Sequence, residues 1–111
     1  MSLDDFIKGI NKAEPGPIRT EADELTYPLH ILIRYELEKD IFSGKCSVSE
    51  LPERWNQKYE EYLGITPKND SEGILQDIHW SMANFGYFPS YAIGSAIAAQ
   101  IYHHMAQQIP L

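Results

Sequence analysis

Proline and glycine fall in this chain where a helix has to stop or start. The stretches between them carry apolar residues at about 3.6-residue spacing, a combination that admits a helical fold and little else. Glu14-Pro15-Gly16-Pro17 ends a short first helix read from Phe6, Ile7 and Ile10. Thr20, with Asp23 three positions on, reads as the start of a long amphipathic run through Leu25, Leu29, Leu32, Leu37 and Ile41 to Gly44. Pro28 inside that run removes a backbone donor and predicts a kink or a restart between Glu24 and Pro28. Ser47 with Glu50, in capping-box spacing, and Ser49 alone are competing caps for a third helix, whose Leu51, Trp55, Tyr59 and Tyr62 line one face until Gly64. Beyond the loop from Ile65, Asp70 or Ser71 is the expected cap of a fourth helix carrying Gln76 to Trp80. Pro89 then opens a fifth, rich in Ala92, Gly94, Ser95, Ala96, Ala98 and Ala99. Side chains that short let backbones approach, so this helix is expected to be buried on more than one side in its native context. No strand-like alternation, internal repeat or low-complexity tract interrupts the pattern. The fold class is all-α, with about five helices.

A chain of 111 residues supports one domain. Its net charge of −7, with no basic cluster, argues against nucleic acid and anionic membrane surfaces as partners. No apolar run reaches the ~18 residues of a membrane span. Cys46 is the single cysteine, so an internal disulfide is excluded and a reducing cytoplasm is the natural setting. With no histidine evident to pair with it, Cys46 reads as inert.

Chemistry concentrates in Gly73-Ile74-Leu75-Gln76-Asp77-Ile78-His79-Trp80. On a helix Gln76, His79 and Trp80 share a face, with Asp77 about 100° away. Upstream, Arg19 follows Pro17-Ile18 and offers a planar fork of donors suited to a carboxylate. The plainer alternatives are partly buried, satisfied side chains at His79 and Trp80, and an exposed ion pair of Arg19 with Glu21, Asp23 or Glu24. Tyr87 and Tyr91 either present hydroxyls to a ligand or wedge a loop between helices. His103 and His104 are adjacent, point about 100° apart and make a poor chelate.

Ile18-Arg19-Thr20-Glu21-Ala22-Asp23 and Gly73 to Trp80 resemble the I-R-x-x-A-D and G-x-x-Q-D-x-H-W signatures of the carboxypeptidase Taq family of zinc metallocarboxypeptidases. Phe85-Gly86-Tyr87-Phe88-Pro89-Ser90-Tyr91 resembles its F-G-Y-F-P-S-Y stretch. The resemblance runs from about Phe6 through Gln100. Met1-Ser2-Leu3 precede it and read as an expression leader. It implies that His79 lines the active-site groove and acts on a substrate carbonyl or the developing oxyanion, with Gln76 or Asp77 fixing its orientation from behind. It further implies that Arg19 recognises the free C-terminal carboxylate of a peptide, and that Tyr87 and Tyr91 contact substrate.

Such enzymes hold zinc on an H-E-x-x-H helix and a further Glu. None of His30, His79, His103 and His104 has that spacing. The chain is therefore expected to be an excerpt from the C-terminal half of a several-fold longer, mostly helical enzyme. It would supply groove residues, with no metal of its own, to a parent that binds zinc or another divalent metal and takes peptide substrates. The rival reading is a catalytically inactive helical module for self-association or protein interaction, and a homo-oligomer is expected from unpartnered apolar faces. A small metal-binding domain on Asp77, His79 and His103 is a third, weaker reading.

Overall fold

The computed structural model describes residues 1–109. Four α-helices run through it: α1 (Leu3–Ile10), α2 (Tyr27–Phe42), α3 (Leu51–Leu63) and α4 (Pro89–Gln108). Short 3-10 turns lie at Arg19–Glu21, Val48–Glu50 and Trp80–Met82, and there is no strand among the described residues. The all-α reading holds.

Each helix starts where local chemistry allows. The Ser2 hydroxyl accepts from the Asp5 amide at 3.1 Å and the Asp5 carboxylate accepts from the Ser2 amide at 3.2 Å, a reciprocal cap for α1. Asp23 Oδ1 takes the amides of Leu25 and Thr26, both at 2.9 Å, and forms the turn from which α2 departs. Pro28 sits in the first turn of α2, where a missing amide proton costs nothing, so the expected interruption is a restart. Ser47 donates through its amide and its hydroxyl to Glu50, at 2.8 and 2.6 Å, ahead of α3. Gly64 closes α3 at φ 68°, donating its amide to the Glu60 carbonyl at 3.1 Å.

The core forms between α2 and α3. Ile33 and Leu37 meet Leu51, Trp55, Tyr59 and Leu63, with Cys46 tucked into the connection. Each such side chain contributes about 1.5–3 kcal/mol when fully withdrawn from water. Leu25, counted with the α2 apolar face from its spacing, is instead 76% exposed, because it lies in the turn before the helix begins.

One expectation needs correction. The fourth helix is absent: residues 70–79 form a series of turns followed by the 3-10 turn at Trp80–Met82. The Gln76 side chain competes directly with a helix there, since its Nε2 donates to the carbonyls of Glu72 (2.8 Å), Gly73 (3.1 Å) and Pro17 (3.0 Å). The last helix, α4, has no buried residue within this chain.

Candidate functional site

One face of α2 carries His30, Arg34 and Glu38, four residues apart and all buried; His30 meets Tyr59 of α3, while Arg34 and Glu38 grip the turn segment and the loop after it. His30 Nδ1 lies 3.0 Å from the Tyr59 hydroxyl. That oxygen also accepts from Arg34 Nη1 at 3.3 Å and Gln76 Nε2 at 3.4 Å, which leaves the phenol proton to His30 Nδ1. Arg34 Nε donates to Asp77 Oδ2 at 2.7 Å, with Nη2 beside the same oxygen at 2.6 Å as a charge contact. Arg34 Nη1 also donates to the His30 carbonyl at 2.8 Å. Glu38 accepts from Trp80 Nε1 at 2.7 Å and from the Gly86 amide at 2.9 Å.

Arg19 completes the arrangement from the opposite side. Its Nε and Nη2 both donate to Asp77 Oδ1, at 3.0 and 2.7 Å, and Nη1 donates to the Tyr27 hydroxyl at 3.3 Å. The Arg19 amide donates to Gln76 Oε1 at 2.8 Å. Two guanidinium groups thus share one carboxylate. The Phe88 ring lies near both, 5.7 Å from Arg19 Cζ and 5.4 Å from Arg34 Cζ. Tyr91 lies beneath Arg19 at 5.1 Å and Trp55 beneath Arg34 at 4.6 Å. Aromatic faces disperse the excess positive charge.

Electrostatics follow from this packing. Burial works to raise the Asp77 pKa, but the hydrogen bond from Arg19 and the charges of Arg34 and Arg19 prevail and hold it below the usual carboxylate range. Burial opposes the charge on Arg19, and Asp77 outweighs that, so its affinity for the proton rises. Burial, then the positive charges of Arg34 and Arg19, push His30 down to about 4, which keeps it neutral. Burial raises the Tyr59 phenol.

His79 is the member of its motif that turns to α4. Its Nε2 lies 3.0 Å from the Tyr91 hydroxyl, and Nδ1 is buried without a partner. The ring rests against Phe88, centroids 4.4 Å apart, with Tyr87 and Tyr91 both at 5.9 Å. Tyr87 and Tyr91 meet edge to face at 5.3 Å. A cleft of ≈ 710 Å³ opens beside Tyr27, between the loop at Ala22 and the α4 residues Ser95, Ala98 and Tyr102.

All six residues singled out from the sequence, Arg19, Gln76, Asp77, His79, Tyr87 and Tyr91, therefore fall in one neighbourhood, although not on the helical face expected for the motif. The partner of Arg19 is neither a nearby acid nor solvent but Asp77. His30, Arg34, Glu38 and the Tyr59 hydroxyl were missed. The signal for the first three was polar residues at i, i+4 and i+8 inside a helix read only for its apolar positions; Tyr59 was read for its ring on the α3 face and not for its hydroxyl. Among the described residues no three of His, Cys, Asp and Glu come together in a way that could hold a metal ion. Asp77, His79 and His103 in particular do not: Asp77 is engaged by two arginines and His103 is exposed on α4, bonded to Gln107.

Comparison with known proteins gives a consistent result. Residues 1–111 match the family model described as carboxypeptidase Taq (M32) metallopeptidase. Carboxypeptidase 1 of Bacillus subtilis is 62% identical over 110 residues, 99% of this chain and 22% of that protein. Thermostable carboxypeptidase 1 of Thermus thermophilus is 50% identical over 102 residues, 92% of this chain and 20% of that protein. Among solved structures, a Pyrococcus furiosus carboxypeptidase superposes with a TM-score of 0.94 at 46% identity, over 99% of this chain and 22% of that one. Trypanosoma cruzi metallocarboxypeptidase 1 gives 0.90 at 43% identity, over 98% and 22%. The chain thus spans about a fifth of the length of these relatives.

Proposed function

From a chain that belongs to the carboxypeptidase Taq (M32) family of metallopeptidases, we propose that the protein acts within a metal-dependent carboxypeptidase releasing C-terminal residues from peptides. This chain would contribute one wall of the substrate groove. The observation that carries the reading is the division of labour inside one motif: Gln76, Asp77 and Trp80 are each held by buried partners, while His79 alone reaches a tyrosine on α4.

Zinc or another divalent metal would supply an activated water and a Lewis acid. The described residues of this chain do not fit a metal site on their own. The steps that belong to this chain concern its own protons. With Nδ1 unprotonated, His79 donates from Nε2 to the Tyr91 oxygen, and Tyr91 keeps its hydroxyl proton to donate outward to a substrate carbonyl as negative charge develops there. Tyr87, 45% exposed beside them, covers the histidine ring and offers a second hydroxyl. Arg19 was expected to read a substrate carboxylate. Its fork is filled by Asp77, which supports a holding role in which Arg19 and Arg34 fix Asp77 and so the turn that delivers His79.

In the full-length enzyme, His79→Gln and Tyr91→Phe are each expected to lower kcat at least tenfold, with KM nearly unchanged. Well-folded variants with unaltered kcat would sink this assignment.

A second reading rests on α4, whose Ile93, Ile97, Ile101, Tyr102 and Met105 are exposed. We infer self-association, a homo-oligomer, through this helix. The buried lone thiol Cys46 is in keeping with a reducing compartment such as the cytoplasm. No described helix is long and apolar enough to cross a membrane.

A further inference from the structure

Glu38 is a buried carboxylate that neither the motif nor the proposed chemistry uses, 5% exposed in the middle of α2. Its two oxygens accept from two donors that belong to opposite ends of one loop: Trp80 Nε1 at 2.7 Å and the Gly86 amide at 2.9 Å. Both donors are chain neighbours of candidate site residues, Trp80 following His79 and Gly86 preceding Tyr87. Ala83 sits in the left-handed region at φ 56° and Gly86 at φ 72°. That conformation is disfavoured for an alanine, so something outside the loop has to hold it. The loop's own main-chain bonds reach only backwards, Ala83 to the Trp80 carbonyl at 3.0 Å and Asn84 to the His79 carbonyl at 2.8 Å.

We propose that Glu38 is a positioning residue for the His79–Tyr91 pair, its carboxylate clamping the two ends of the Trp80–Gly86 loop so that the histidine and the tyrosine of α4 meet at hydrogen-bonding distance. The chemistry favours a carboxylate here over an amide. Both partners are donors, and a side-chain amide would turn its own NH2 toward one of them. The ring of Trp80, edge-on to Trp55 at 6.0 Å and to Phe88 at 6.2 Å, carries the restraint to the same Phe88 against which His79 rests. Without the clamp the loop keeps its packing but loses its fixed closure, and a displacement near 1 Å at His79 is enough to cost a reaction on the order of a hundredfold.

The proposal rests on the reading of His79 and Tyr91 given above, and the test separates the two. Full-length holoenzyme would be assayed as wild type, Glu38→Gln and His79→Gln, with thermal unfolding of each. The expected result is a fall in kcat of tenfold or more for both variants. KM for a peptide substrate should stay within about threefold, and the Glu38→Gln midpoint should stay close to wild type. A His79→Gln defect together with wild-type kcat in Glu38→Gln overturns the positioning role and leaves the site reading intact. Wild-type kcat in His79→Gln overturns both. A Glu38→Gln loss that only tracks the fraction of unfolded protein also overturns the positioning role. Should Glu38→Gln fail to fold, Trp80 can be replaced by 3-benzothienylalanine, which exchanges the indole N–H for sulfur at nearly the same shape. A kcat loss of at least threefold with unchanged KM supports the clamp, and unchanged kcat overturns it.

Discussion

Asp77 is where a single atom-scale change has the largest expected effect. Two guanidinium groups converge on its carboxylate from Arg19 and Arg34, the latter with a fully buried side chain. Asp77→Asn keeps the shape but leaves two buried cations without their counter-charge, and breaking a buried pair in this way costs about 3–5 kcal/mol. Urea unfolding should show the midpoint falling with little change in slope. Acid acts on the same cluster. Asp77 is held below the ordinary carboxylate pKa, so its contribution is complete above that range and is lost as the pH falls through the folded-state value. His30 is pushed from 6.5 to about 4, so between those values the unfolded chain takes up a proton that the folded chain refuses. Both slopes have the same sign, and stability should decline steadily on acidification from pH 7. His30→Gln is expected to flatten the part of the decline between pH 6.5 and 4. An unchanged slope in that variant would mean that His30 does not titrate as its buried position requires.

At the scale of elements, α3 was legible from the residues alone because its start and stop are written locally, in Ser47, Glu50 and Gly64, and its buried face follows one period. The start of α2 was half legible: Pro28 demanded an interruption, but Asp23 as the turn-former beneath it is an Asx contact that spacing does not single out. The segment at residues 70–83 was misread for a physical reason. Polar side chains at helical spacing look like a helix face, yet here Gln76, Asp77 and Trp80 satisfy themselves on Tyr59, Arg19, Arg34 and Glu38, all distant in sequence. Those partners gain more than a short isolated helix could, since nucleating one is costly. Gly73 distinguishes the two conformations by sign. In a helix, Gly73→Ala would stabilise the chain by about 1 kcal/mol. In the turn, the added Cβ would lie 3.2 Å from the Asn69 carbonyl oxygen, which already accepts the Gly73 amide at 2.9 Å and cannot easily retreat. The substitution is therefore expected to destabilise, which thermal unfolding of the chain would register as a lowered midpoint.

The whole molecule is long for its mass, with a radius of gyration of 16.8 Å and extents of 52 × 32 × 24 Å. A compact chain of this length would have a radius near ~13 Å. The excess comes from elements that pack on little else: α1 is exposed throughout, and α4 carries apolar side chains with none buried. For α4 the sequence reading expects burial in a native context, and small residues and isoleucines predict that contact without saying which surface provides it. Ile93, Ile97, Ile101 and Met105 recur every four residues, with Tyr102 alongside, and are 38–63% exposed. Covering such a stripe on two copies, at roughly 1 kcal/mol for each half-exposed side chain, gives about 10 kcal/mol, against an association cost of ~4–15 kcal/mol. At the low end of that cost about 6 kcal/mol remains, which corresponds to weak, concentration-dependent pairing with a dissociation constant of roughly tens of micromolar, not a tight dimer. Sedimentation velocity across that range should show a weight-average mass rising with concentration, and Ile97→Glu, which sets a charge in the middle of the stripe, should return the chain to a monomer while helical circular dichroism is retained. A wild-type chain that stays monomeric at hundreds of micromolar, about ten times that dissociation constant, would remove α4 as a self-association surface.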